Sequence, residues 1–383
     1  ALAGIPTVTL MLAQSRLNRQ RKPISVLHVI TSLDRGGAET MLLGLVRRRS
    51  SGVRPTVVSL ISGGALSRDV TDAGVPLHEL GFKSRMPSLS GMLHLVRIIR
   101  RERPDVIQGW MYHGDLAAMI ALVLSGRWSV TLLAWGLRCS DMNLDRYHWS
   151  LKAVVRICAM FSRFPDAVIA NSLVGRTAHS DIGYLPRRFD VVHNGIDTDR
   201  FHPRSDEKAA LRAELGLPQD ARVLAHVARV DPMKNHEGLL AAANGVPNLW
   251  LLLVGRGSKE IPAQERVIAL GQRADIATLL GAADGVVSSS LFGEGFSNAL
   301  AEGMATGAVP IATDVGDSRL IVGDSGWVVP PGNTDELAKA MEEFASLSDE
   351  ALDRMQRRAR AHILNNYTLE KAEKTFLDLY ETM

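Results

Sequence analysis

Cysteine is nearly absent. The 383 residues hold two, Cys139 and Cys158. They form no CxxC pair and no zinc spacing, which argues against a disulfide framework and points to a reducing cytoplasm. No run of 18 apolar residues exists, so no membrane-spanning helix is expected. Aromatics make up only 5% of the chain. With no RNA-binding aromatic motif and no zinc finger, nucleic acid has little support as a partner. No P-loop is present. Neither "SLDRGGAET" nor "GRGSKE" completes G-x-G-x-x-G, so ATP and nicotinamide cofactors are poorly supported. What remains is ordinary for a globular protein with a sizeable core: 46% apolar and 22% charged residues, in a length that suits two domains.

Charge is unevenly placed. Residues 1–200 hold 26 basic against 15 acidic side chains, and residues 201–383 hold 18 against 26. A basic first half suits an anionic surface, and a membrane face fits better than nucleic acid; the plainer reading is a set of solvated arginines. The opening "ALAGIPTVTLMLAQSRLNRQRK" is apolar and then basic, the reverse of a secretory signal. Residues 1–22 therefore read as an appendage, with Met11 a candidate start, or as an amphipathic membrane-surface helix.

Short β-branched runs alternate with helical patterns along the chain: "ISVLHVI", "TVVSLI", "PDVIQGW", "VTLLAWG", "DAVIANS" and "FDVVHNG" in the first half. "VLAHVARV", "LWLLLVG", "RVIAL", "GVVSSS", "VPIATDV" and "GWVVP" follow in the second. Strands this continuously apolar are buried on both faces, as in a parallel sheet, and alternating βα units predict a doubly wound α/β fold. Two such series predict two Rossmann-like domains, at 23–197 and 198–365, with a seam in the turn-rich "NGIDTDRFHPRSDEK". Residues 366–383 are expected to form a helix returning to the first domain.

In open α/β sheets ligands lie beyond the carboxyl ends of the strands. That rule selects Asp34–Glu39, His113, Arg138, Arg229 and Glu294. The segment "SSLFGEGFSNALAEGMATG" sets two acids, Glu294 and Glu302, eight positions apart among glycines and small apolar residues. A helix starting near Phe296–Asn298 would aim unpaired N–H groups and a partial positive charge at a phosphate. Gly293 and Gly295 permit close approach. Glu294 suits sugar hydroxyls and Glu302 ribose hydroxyls. The alternative is that Glu294 steadies the helix dipole and Glu302 is solvated. In "ARVDPMKN", Arg229 and Lys234 can both reach a diphosphate across a turn, unless they are simply exposed. Gly36 and Gly37 form a turn that lets backbone approach phosphate. Three other features have plain explanations. Asp197 and Asp199 resemble a metal-binding D-x-D but fall in the linker. His113 can serve as a helix cap. Arg97, Arg100, Arg101 and Arg103 follow helical spacing, which reads as a solvated face or else as one that meets lipid.

These segments resemble the retaining family-four glycosyltransferases of the GT-B fold, two Rossmann-like domains facing across a cleft. The motifs that carry the likeness are "GGAE", "VIQGWMYHGDLAA", "WGLRCS", "VIANS", "VVHNGIDTDRF", "VARVDPMKNHEGLL", "LLLVGRG", "FGEGFSNALAEGMATGAVPIATDVGDSRLIV" and "WVVPPG". "WMYH" with "WGLR" resembles a subgroup of bacterial surface-polysaccharide assembly. The resemblance implies that Arg229 and Lys234 hold the donor diphosphate. Glu294 meets the donor sugar beside the backbone of Gly295, Phe296 and Ser297, and Glu302 meets the ribose. It places Gly37 against the diphosphate on closure, Arg273 at the base pocket, and His113 with Arg138 on the acceptor side, His113 close to the reacting sugar. It implies front-face transfer with no metal and no cofactor, the nucleotide-sugar being a substrate. Further expectations are a UDP-sugar donor, a polyprenyl-linked saccharide acceptor, peripheral contact with an anionic inner membrane, and no nucleic acid. His193 stands where Pro is usual, Ser297 where Pro is frequent, and Gly303 and Thr306 where Ala and Cys are common; Gly303 inside a helix costs about 1 kcal/mol against Ala. Two other readings keep the fold: a nucleotide-sugar epimerase, which would act on UDP-GlcNAc with no acceptor, and a non-catalytic nucleotide-sugar-binding protein, which would hold UDP without turnover.

Overall fold

The structure is a computed structural model describing residues 22–48, 52–82, 88–140 and 149–383. The expectations for residues 1–22 fall almost wholly outside them. The first sheet holds β1 (Ile24–Ile30), β2 (Val53–Ser59), β3 (Leu77–Glu79), β4 (Val106–Trp110), β5 (Leu132–Leu137), β6 (Ala167–Ala170) and β7 (Phe189–Val191). The second holds β8 (Arg222–Val227), β9 (Leu249–Val254), β10 (Val267–Gly271), β11 (Gly285–Ser288), β12 (Val309–Thr313) and β13 (Trp327–Val329). Their orders are β3-β2-β1-β4-β5-β6-β7 and β10-β9-β8-β11-β12-β13, with parallel pairing throughout.

Burial explains the composition of the strands. β4, β6, β11 and β12 are buried at every residue, so each side of the pleat needs an apolar residue. In β1, Leu27 and Val29 enter one core with Ile107 and Tyr112, while Val26 and Ile30 enter another with Met41 and Leu42. The second sheet divides its core in the same way: Val223 and Ala225 on one side, Leu224 on the other. Helices cover both faces of each sheet, which is the doubly wound α/β arrangement. The helix Leu369–Thr382 follows the second sheet in sequence yet packs Leu369, Phe376 and Tyr380 into the core that holds Val26 and Ile30. An isolated bridge between Ile196 and Thr368 guides it there.

β3 has no counterpart among the apolar runs read from sequence. It is a three-residue edge strand, "LHE", with no fully buried residue. Among the described residues, no helix is long and apolar enough to cross a membrane.

Candidate functional site

Each sheet reverses its strand order once, between β1 and β4 in the first and between β8 and β11 in the second. Crevices open at such points, beyond the carboxyl ends of the strands. Here the two crevices face each other and share a cleft of about 1050 Å³. One wall carries Gly36, Gly37 and Glu39 after β1, Met111 after β4, Arg138 after β5 and Asn171 after β6. The other carries Arg229 and Lys234 after β8, Arg256 after β9, Arg273 after β10, and Gly293–Asn298 after β11.

The second wall is held by local chemistry. Asp231 accepts from Met233 N at 3.0 Å and from Arg229 Nε at 3.2 Å, which fixes the short turn Pro232–Lys234. That turn presents the Lys234 ammonium to the Glu294 carboxylate, and the two form an ion pair. The Ser290 hydroxyl donates to the same oxygen, Glu294 Oε1, at 2.7 Å. The helix Asn298–Ala305 begins directly afterwards, so the backbone N–H groups of its first turn point at this corner. Gly316, at φ +62°, presses against the loop: a β-carbon there would come within 2.3 Å of the Glu294 carbonyl oxygen. Only glycine fits under that loop at this point. Burial pushes the Glu302 carboxyl up to about 7, opposed by the Arg200 cation. Glu302 faces the cleft, so its charge is easily changed near neutral pH.

The walls also touch. Asn194 Nδ2 donates to Asn298 Oδ1 at 2.8 Å, and the Ser140 hydroxyl donates to the Glu294 carbonyl oxygen. Gly37 lies so near Asn298 that a β-carbon would sit 3.3 Å from its Nδ2. Asp317, buried after β12, accepts from Leu173 N at 2.8 Å and Val174 N at 3.2 Å, capping a helix of the first sheet. It also meets His193 Nε2 at 2.8 Å, which gives a purpose to the histidine at a position where Pro is usual.

The structure brings Gly36, Gly37, Arg138, Arg229, Lys234, Arg273, Glu294, Gly295, Phe296, Ser297 and Glu302 to the cleft wall. It does not bring His113. That residue is half-buried in the first turn of the helix Met111–Ser125, and Met111 is the part of the segment that reaches the cleft. Arg273 is at the wall with its guanidinium forked onto Asp275 at 2.8 and 2.6 Å, so a base would have to share it. Asp197 accepts from Asp199 N and Arg200 N, at 3.2 and 3.0 Å, which is turn chemistry. Arg100 donates to the Ser125 and Leu124 carbonyls at 3.1 and 3.0 Å, closing a helix end. Arg256, Asn171, Asn194 and Asn298 line the cleft without having been singled out from sequence. The carboxyl-end rule could have found Arg256 and Asn171, which follow β9 and β6.

Gly303 corrects a sequence-level judgement. A β-carbon there would meet Val286 side-chain atoms at 2.6–2.7 Å. The glycine lets the helix lie directly on β11, so its cost in helix propensity is offset by packing.

Two family models divide the chain along the same line as the sheets. Residues 35–200 match "Glycosyltransferase Family 4" and residues 221–346 match "Glycosyl transferases group 1". Among solved structures, Anabaena Alr3699/HepE in complex with UDP and glucose superposes with a TM-score of 0.81 at 21% identity, over 94% of this chain and 100% of that one. This chain is built on the GT-B glycosyltransferase fold. A second GT-B neighbour, a glycosyltransferase from Rickettsia africae, gives a TM-score of 0.77 at 19% identity, over 94% and 98%. The D-inositol 3-phosphate glycosyltransferase of Mycobacterium tuberculosis is 32% identical over 216 residues, 52% of this chain and 44% of the relative. The match thus spans less than half the length of that curated relative.

Proposed function

We propose that the protein is a retaining, metal-independent glycosyltransferase. It moves a sugar from a UDP-sugar to a lipid-linked saccharide in bacterial cell-surface polysaccharide assembly, working at the cytoplasmic face of a membrane. The observation that carries this reading is the corner formed by Lys234, Glu294 and the start of the helix Asn298–Ala305, set opposite the Gly36–Gly37 turn. Breaking an anomeric bond builds positive charge on the sugar and negative charge on the leaving diphosphate. Arg229, Lys234 and the helix N–H groups stabilise the leaving group, as fixed charges and dipoles do in a site shielded from water. Glu294 Oε2 is left to accept from sugar hydroxyls, because Oε1 already serves Lys234 and Ser290. UDP is favoured because the HepE neighbour is named in complex with UDP and with UDP-glucose. Membrane contact is supported by the helix Trp149–Phe161, which exposes Trp149, Ile157 and Met160 beside Arg156. Apolar and basic side chains on one helix suit an anionic interface.

A calorimetric screen of UDP-, GDP-, ADP- and TDP-sugars tests the donor, since a ligand that binds only the native state raises its stability. The UDP-sugars should stand out. With the donor in hand, Glu294→Ala should abolish transfer and keep the fold, with a lowered melting temperature because Lys234 and Ser290 lose their shared partner. Near-full transfer by that variant with every donor would sink the assignment of the carboxylate.

A further inference from the structure

The first-sheet wall of the cleft holds polar atoms that the fold itself does not use. Arg138 leaves the end of β5, and Asn171 leaves the end of β6 beside it, joined by Asn171 N to the Leu137 carbonyl at 3.0 Å. Both line the cleft. The Arg138 guanidinium lies over the Trp110 ring, 4.7 Å from its centroid, and spends Nη1 on Asn194 Oδ1 at 2.8 Å. Its Nε and Nη2 are covered and have no partner. Asn171 is 4% exposed, and its Oδ1 also has no partner. Among the described residues no carboxylate makes an ion pair with Arg138. Asp115 acts on it through space, but Asp115 accepts from Gly136 N at 2.9 Å, and burial pushes its carboxyl well above the usual range. Burial also pulls the guanidinium down to about 10, as expected for a cation short of a counter-charge. Buried donors without partners are uncommon, and a charged one is costly. Stacking on Trp110 steadies the plane of the guanidinium but supplies no negative charge.

We propose that this recess receives an acidic glycosyl acceptor, with a phosphate or carboxylate oxygen on Arg138 and a neighbouring hydroxyl donating to Asn171 Oδ1. The inference rests on the donor reading above, because an acceptor is needed only if the opposite wall holds a nucleotide-sugar. It adds a constraint on chemistry: the acceptor is charged close to its reacting end. Nε and Nη2 are covered in this structure, so binding requires the guanidinium to turn away from Asn194 and from the Trp110 and Phe376 rings; its planar fork then matches two oxyanion atoms. A neutral saccharide would leave the cation unpaired.

The test is a titration of the full chain saturated with UDP, so that the donor-side cations are already occupied. The probes are glucose 6-phosphate, glucuronate, a short-chain polyprenyl-diphosphate-linked sugar, and glucose as the neutral control. At least one acidic probe should bind, and the arm that binds tightest tells a free sugar acid from a lipid-linked phosphate. Arg138→Gln should weaken that binding by about 10- to 100-fold and leave UDP affinity unchanged. Arg138→Lys should recover part of the loss, and Asn171→Ala should cost several-fold with the fold intact. Acidic probes that bind no better than glucose overturn the proposal, and so does Arg138→Gln binding them as the wild type does. UDP binding is recorded first on each protein. Its failure sinks the donor reading, while the probes, titrated in either case, decide the acceptor reading through Arg138→Gln and Arg138→Lys.

Discussion

Glu302 offers a prediction in which stability and binding move in opposite directions. Burial raises its carboxyl from 4.5 to about 7, so the native state resists the charge that the unfolded chain accepts freely. The sign follows from proton counts. Between about pH 4.5 and 7 the native protein binds a proton there that the unfolded chain has lost, so this group's contribution to stability falls as pH rises and levels off above 7. A shift of this size corresponds to about 3 kcal/mol at pH 8 and less than about 1 kcal/mol at pH 5. Glu302→Gln removes the titration and keeps the shape. Chemical denaturation at the two pH values should show the variant more stable by up to about 3 kcal/mol at pH 8, with the gap nearly closed at pH 5. Its UDP affinity should fall about 10- to 100-fold at pH 8, the loss of a charge-assisted hydrogen bond. Wild-type affinity should itself weaken as pH drops below 7, where the carboxylate protonates. A stability gap that does not change with pH, or a variant less stable at pH 8, would refute the reasoning.

Three further outcomes are expected. Glu294→Gln frees Lys234 for the diphosphate, so calorimetry should show UDP bound at least as tightly as by wild type, with no extra affinity for a UDP-sugar. Gly303→Ala sets a helix gain of about 1 kcal/mol against overpacking on Val286 of about 1–3 kcal/mol; denaturation should find the variant less stable, and Val286→Ala should restore it. Asp317→Ala removes the cap that crosses from the second sheet to the helix Leu173–Asp181, and a lost cap costs about 0.5–2 kcal/mol. Small-angle scattering should then report a larger radius of gyration without UDP.

Every strand except β3 stands in the sequence as a mainly apolar run, because most of them are covered on both faces, and the buried polar residues His28, Gln108 and His226 interrupt those runs only singly. β3 escapes because this short edge strand, with two half-covered residues and Glu79 exposed, needs no such run. The second-sheet wall is legible for a related reason. Glu294 and Glu302 share one loop and helix, Arg229 and Lys234 one turn, so the chemistry is local in sequence. The seam is not local. Asn194 meets Asn298 and His193 meets Asp317 across more than a hundred residues, and taken one at a time each is an ordinary turn or helix-end residue. Gly303 misleads for the same reason: propensity counts the helix alone, and the contact that favours glycine belongs to β11.

If the corner of Lys234 and Glu294 holds the donor, as proposed, its electrostatics have a logic of their own. Lys234 and Glu294 neutralise each other in a partly buried pair, and breaking such a pair by removing one partner is costly. A diphosphate arriving alone would draw Lys234 away and strand Glu294 with only Ser290 and, at the free oxygen, water. A nucleotide-sugar supplies both replacements at once: phosphate oxygens for the ammonium and sugar hydroxyls for the carboxylate. The exchange is then close to balanced, and the binding difference between the intact donor and the spent diphosphate is concentrated on Glu294. On the proposed reaction, the sugar would no longer satisfy that carboxylate after transfer. Lys234 would then be drawn back toward Glu294 and its grip on the product would loosen. On that reading the ion pair would also favour release of the leaving group, because both events turn on the same contact between the turn after β8 and the loop after β11.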